Sequence, residues 1–286
     1  MVADSASAVT VRPASASAYE AFMGRWSRIV AERFVEWLAI PAGSRWLDVG
    51  SGTGALAGVI LKCAAPRDVR GIDPNADYVA LARKMINDSR CQFLVGDAQS
   101  LPSEFADFDA VVSGLVINLV PDPARAFAEM CRVTRRGGTV GVYVWDFAEG
   151  MQVFRCMWDA ARVLDPAAAA LDQGVRYTLC HPDRLHDLFE QGGLAEIRLE
   201  ALDVPTVFAD FDDYWAPFLS GEGTAPGYVM SLSENLRAQL RERIRAAMPI
   251  RPDGSLHLNA RAWLVRGRRR NRPAHPQART SPTPQQ

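Results

Sequence analysis

The chain has 286 residues, 48% of them apolar and 23% charged, with a formal net charge of −1. That length sustains one large domain or a domain with a cap, and the balance is that of a globular protein rather than a fibrous or wholly disordered one. No run of 18 apolar residues occurs, and no basic segment followed by an apolar stretch opens the chain, so neither a membrane span nor a secretory signal is read and a cytoplasmic location is expected.

Charge is uneven along the sequence. Six of the 32 basic residues lie from Arg266 onward, with no acid among them, so the preceding body carries a net charge of −7. An acidic body argues against a nucleic-acid groove. The five cysteines (Cys63, Cys91, Cys131, Cys156, Cys180) are scattered and form no CxxC pair, which reads as free thiols in a reducing compartment. No Zn-type grouping of Cys and His is present, and no metal is expected.

In chain order, residues 1–18 are rich in Ala and Ser and read as a disordered tail. Residues 19–40 place Tyr19, Phe22, Trp26, Ile29, Val30, Phe34, Trp37 and Leu38 at helical spacing, until Pro41-Ala42-Gly43 breaks the pattern. Residues 45–54 read Arg-Trp-Leu-Asp-Val-Gly-Ser-Gly-Thr-Gly. A strand ends at the carboxylate of Asp48, alternating glycines (Gly50, Gly52, Gly54) follow, and apolar residues at helical spacing run from Ala55 to Ala64. This is a nucleotide-type binding corner, in which a turn without side chains brings backbone N–H groups close to a ligand. Asp48 suits a ligand with a positive end and repels a pyrophosphate.

Strand and helix then alternate to residue 146. Val69–Ile72 is a strand ending at Asp73-Pro74, Asp77–Met85 a helix, and Cys91–Val95 a strand ending at Gly96-Asp97-Ala98. Phe108–Gly114 is a strand, Asp122 caps a helix over 123–133, and Thr139–Trp145 is a further strand. Buried strands with helical crossovers predict an α/β fold with a parallel sheet, ligands binding at the carboxyl ends of its strands. Beyond residue 150, helices are read near 150–164, 182–191 and 231–247, and a strand over 194–204. Asp253-Gly254 turns into an alternating strand over 255–265, which predicts an antiparallel edge. The aromatic residues between Phe208 and Tyr228, with Trp158, either roof an apolar pocket or pack the core of a cap.

Asp73 stands 19 residues after Gly54, where a carboxylate can accept hydrogen bonds from both hydroxyls of a ribose. Asp97 ends the third strand, where it can accept from an adenine amino group, and Ser113-Gly114-Leu115 ends the fourth. In this order, Asp48-Val-Gly-Ser-Gly-Thr-Gly, Gly71-Ile-Asp73-Pro74, Gly96-Asp97-Ala98 and Phe108-Asp-Ala-Val-Val-Ser113 resemble the class I S-adenosylmethionine-dependent methyltransferases. The likeness covers residues 19–146 well and the late strands loosely.

The resemblance implies a Rossmann-like, doubly wound, mostly parallel seven-stranded sheet, with an antiparallel C-terminal edge strand and a helical, aromatic-rich cap. It divides the chain into a tail (1–18), a helical lid (19–44), a cofactor-binding core (45–146), a substrate-side cap with late strands (147–265) and a basic, Pro-rich tail (266–286). S-adenosylmethionine is the implied cofactor and S-adenosylhomocysteine the product. Gly50, Ser51 and Gly52 would lie against the methionine part, with Asp48 holding the turn or the amine. Asp73 would bind the ribose, Pro74 would pack on the adenosine, and Asp97 and Ala98 would contact the adenine. Gly114 and Leu115 would pass near the sulfonium. Tyr19 and Arg25 resemble a lid, with Arg25 pairing the cofactor carboxylate.

The implied reaction is a direct displacement onto an O, N or C nucleophile of a small hydrophobic or aromatic acceptor. No catalytic residue is assigned, although His181 and Tyr177 are candidate bases. Two other classes remain open: a nicotinamide-dependent oxidoreductase, because Gly50-x-Gly52-x-x-Ala55 also fits the dinucleotide fingerprint, and a non-catalytic cofactor-binding protein acting through its arginine tail. Oligomeric state is left open.

Overall fold

A computed structural model describes residues 20–271. Tyr19 and the tails at 1–18 and 272–286 lie outside the described residues. One π-helical turn, Glu20–Gly24, leads into α1 (Arg25–Leu38). The core then runs β1 (Arg45–Val49), α2 (Ala55–Cys63), β2 (Asp68–Asp73), α3 (Ala76–Met85), β3 (Cys91–Val95), β4 (Phe108–Gly114), α4 (Pro123–Val133) and β5 (Thr134–Trp145). After it come α5 (Gln152–Leu164), the four-residue α6 (Gln173–Arg176), α7 (Pro182–Gln191) and β6 (Leu194–Phe208). The chain closes with α8 (Phe211–Trp215), α9 (Thr224–Ser231), α10 (Glu234–Ala247) and β7 (Leu256–Arg269).

The seven strands lie in the order β3-β2-β1-β4-β5-β7-β6. β1 pairs in parallel with β2 and β4, β2 with β3, and β4 with β5, whereas β7 is antiparallel to both β5 and β6. The antiparallel strand is thus C-terminal, but it sits one place in from the edge, which β6 forms. Alternate side chains bury both faces of the sheet. Trp46, Ala110, Val112, Tyr143 and Trp145 join one core with α1, α2 and α3; Leu47, Val111, Val140, Val142 and Val144 join another with α4 and α7. The order reverses between β1 and β4, and that switch point opens at the carboxyl ends of the strands.

Local chemistry explains the helix starts. Asn75 caps α3 by accepting from the Asp77 and Tyr78 amides, and Asp122 caps α4 by accepting from the Arg125 amide ahead of Pro123. Asp253-Gly254 makes the expected turn, closed by Gly254 N–H donating to the Arg251 carbonyl. β7 runs on to Arg269, past the point where the sequence alone suggests that a tail begins. Neighbouring ladders explain this: β5 pairs with Arg266 and Arg268, and the Arg266 guanidinium donates to the Trp37 and Leu38 carbonyls at the end of α1.

The late aromatic residues pack one another. Tyr214 is fully buried and donates its hydroxyl to the Val153 carbonyl at 2.8 Å. Its ring lies 5.4 Å from Phe208 and 5.3 Å from Phe218, and Trp158 lies 5.4 Å from Tyr228. Of the two readings of this cluster, the structure shows the core of the cap.

Candidate active site

The turn after β1 is anchored to the end of β2. Gly50 and Ser51 both donate their N–H groups to the Ile72 carbonyl, at 2.8 and 3.0 Å. Gly52 N–H donates to Asp73 Oδ2 and Asn75 N–H to Asp73 Oδ1, each at 2.9 Å. Gly50, Gly52 and Gly54 have φ values of +75°, +52° and +88°, a region that other residues enter at a cost. Asp73 is therefore first a structural acid. Each of its oxygens keeps a second lone-pair direction for another donor.

Beside this turn lies a cavity of about 660 Å³. Asp48, Gly50, Ser51, Gly52, Gly114 and Leu115 are all on its wall, so six of the expected residues come together. Apolar side chains of Phe22, Met23, Phe147, Phe154 and Pro226 line it too. Gly114 has a steric reason: a Cβ there would lie 2.5 Å from Tyr143 Oη. Leu115 adopts φ +61° while its N–H donates to the Tyr143 carbonyl at 2.8 Å. A left-handed leucine is strained, and strain of this kind gathers at ligand sites.

Burial leaves polar groups on this wall without partners. Asp48 Oδ2, Ser51 Oγ and Asn118 Oδ1 are sealed from solvent and make no hydrogen bond. Burial, helped by the nearby Asp73 carboxylate, pushes the Asp48 carboxyl up to about 7. A buried acid with one oxygen left without a partner is an environment that a cationic ligand group would relieve.

The other expected residues are placed differently. Asp73 is buried, Pro74 and Asp97 are exposed and Ala98 is 8% exposed; none of the four is on the cavity wall. The Asp97 carboxyl is held below its ordinary range by the backbone and side chain of Gln99. Arg25 also stands away from the wall: it is exposed and stacks over Trp26 and Phe208, at 4.6 and 5.1 Å. His181 is exposed at the start of α7 and off the wall, whereas Tyr177 is on it. Wall residues that sequence reasoning missed include Tyr78, Tyr143, Asn118, Gln173 and Arg176. Tyr143 could have been found, because Thr139–Trp145 alternates around one polar ring. The positions in α6 carry no local signal.

No cysteine is on the cavity wall. All five are free thiols, and burial pushes Cys91 and Cys180 up to about 12 and Cys131 and Cys156 up to about 11.

This arrangement of glycine turn, strand-end acids and switch point coincides with a match to a known family: residues 47–142 fit the family model of a methyltransferase domain. Residues 47–142 are a class I methyltransferase domain. A demethylmenaquinone methyltransferase of Roseiflexus castenholzii is 36% identical over 102 residues, 36% of this chain and 43% of that protein. The chloroplastic 2-phytyl-1,4-beta-naphthoquinone methyltransferase of Arabidopsis thaliana is 31% identical over 160 residues, 52% of this chain and 60% of that protein. The methyltransferase domain therefore aligns over less than two thirds of these relatives' own lengths. A putative methyltransferase of Bacillus halodurans superposes with a TM-score of 0.57 at 16% identity, covering 84% of this chain and 99% of that one, which shows a shared fold.

Proposed function

We propose that this chain transfers the methyl group of S-adenosylmethionine to a small apolar acceptor, aromatic or quinone-like. The observation that carries the reading is the single cavity joining the Asp48–Gly52 turn to an apolar wall. The methyltransferase domain and the names of the two quinone-methylating relatives support it.

The residues fit the cofactor. Asp48, buried and short of a partner, would take the amine, and the glycine turn leaves room for the methionine part. Asp73, anchored by Gly52 and Asn75, would accept from the ribose with its remaining lone pairs. Pro74, Asp97 and Ala98 would flank the adenine at the tips of β2 and β3. Gly114 and the strained Leu115 would border the sulfonium. The bound sulfonium supplies an already activated methyl group. The protein then has to hold the acceptor in line and exclude water, which can supply a large part of the rate. A dinucleotide would bring its pyrophosphate against the buried Asp48, so the nicotinamide reading is disfavoured.

Isothermal titration with S-adenosylhomocysteine and with NAD tests this. Binding of the first alone supports the reading, and binding of NAD alone rejects it. Methyl transfer to a panel of phenols, quinols and amines then separates an enzyme from a cofactor-binding protein.

A further inference from the structure

The wall of the same cavity carries a polar element that the methyl-transfer reading leaves unused. α6 is only four residues long, yet it is firmly held. Asp172 caps it by accepting from Gly174 N–H at 2.9 Å, and the fully buried Asp172 carboxylate pairs with Arg155 of α5. Gln173 is 7% exposed, and Trp158 Nε1–H donates to its Oε1 at 2.6 Å. An indole N–H only donates, so the amide oxygen must face Trp158. The amide nitrogen is left as a donor with no partner among the described residues, on a side chain that lines the cavity. Arg176, on the same helix and the same wall, is exposed and makes no ion pair among the described residues; its guanidinium lies 6.0 Å from the Tyr177 ring.

A fixed free donor and an unpaired cation on one apolar wall are complementary to an anionic oxygen. We propose that Gln173 and Arg176 form an oxyanion subsite, and that the acceptor is an apolar molecule that binds with an ionised hydroxyl or carboxyl group. The inference rests on the methyl-transfer reading and names its substrate class. With the acceptor already ionised, one oxygen lone pair forms the new O–C bond to the methyl carbon. The C–S bond breaks with its electron pair going to sulfur, the sulfonium becomes a neutral thioether, and no proton moves. This accounts for a wall on which no described histidine stands.

The test uses paired probes on the full chain saturated with S-adenosylhomocysteine. One pair is 4-nitrophenol and 4-nitroanisole, the other octanoate and methyl octanoate. The proposal expects at least one anion to bind about tenfold or more tighter than its neutral partner. For 4-nitrophenol the bound form would show the phenolate absorption band. Gln173→Glu keeps an oxygen for Trp158 but replaces the free donor with an acceptor, and Arg176→Gln alters an exposed side chain. Each should remove most of the preference and leave S-adenosylhomocysteine affinity unchanged. A preference for the phenol pair assigns a phenolate or enolate, and one for the octanoate pair a carboxylate. No preference in either pair, no binding of any probe, or a preference that survives both variants overturns the proposal. Failure of S-adenosylhomocysteine to bind would instead reject the methyl-transfer reading itself.

Discussion

Asp73 Oδ2 accepts the Gly52 N–H at 2.9 Å, so the acid ending β2 holds the glycine turn that follows β1. The two motifs are 21 residues apart and act as one piece. Its other oxygen fixes Asn75, which in turn caps α3. One carboxylate thus sets the turn, the start of a helix and the proposed ribose contact together.

Asp73→Ala should weaken S-adenosylhomocysteine binding by about 1–3 kcal/mol and also lower thermal stability, because two amides lose a charged acceptor. Asp73→Asn, which keeps one acceptor oxygen, should lose less of both. Titration calorimetry and a melting curve on each variant check this. A binding loss without any change in melting temperature would remove the structural role.

Asp48 gives a pH signature. Its folded-state pKa of about 7 lies above the ordinary carboxylate value of 3.8, so the native state holds a proton that the unfolded chain releases between those values. Its stabilising contribution is full below the lower value and is lost as pH rises through the upper one. Asp48→Asn should flatten that part of the stability–pH curve and be relatively more stable above neutral pH. Cofactor binding has the opposite slope, because an amine prefers the ionised acid. Affinity for S-adenosylhomocysteine should rise from pH 6 to 7.5 in the native chain and stay flat in Asp48→Asn.

Much of this was legible in the sequence, because the core strands are short apolar runs that end in punctuation. Asp73 is the last residue of β2, Asp48 and Asp97 stand within two residues of the ends of β1 and β3, and Asn75 and Asp122 mark helix starts. The cap was less legible. α6 and the 3₁₀ turns around it lack periodicity, and Gln173 acquires its orientation only when Trp158, 15 residues earlier, folds against it. Arg25 suggested a cofactor contact from its neighbourhood, but Trp26 and Phe208 offered its guanidinium two ring faces. The inset position of β7 was also hidden, because alternation reveals a strand but not its neighbours.

The Arg155–Asp172 pair predicts a large stability effect. Arg155 is 14% exposed and Asp172 is fully buried, so Arg155→Ala would strand a buried carboxylate. Urea unfolding should show a loss of about 3–5 kcal/mol. A loss below about 1 kcal/mol, within the range of an exposed pair, would mean that the pair does not hold α6.

Gly114→Ala should weaken the site without unfolding the sheet. The added Cβ must push the Tyr143 hydroxyl, 2.5 Å away, or move Leu115 from its left-handed conformation. Cofactor affinity should fall while the melting temperature changes by only a few degrees. Unchanged affinity would show that this strand end does not border the cofactor.

The central claim is that the Asp48–Gly52 turn and the tips of β2 and β3 bind an adenosyl sulfonium compound. Titration calorimetry of the full chain with S-adenosylhomocysteine, with NAD as comparison, tests it most directly. One-to-one binding of S-adenosylhomocysteine, no heat with NAD and a marked loss in Asp73→Ala are the predicted results. A folded protein that binds NAD, or that gives no heat with S-adenosylhomocysteine, would contradict the account.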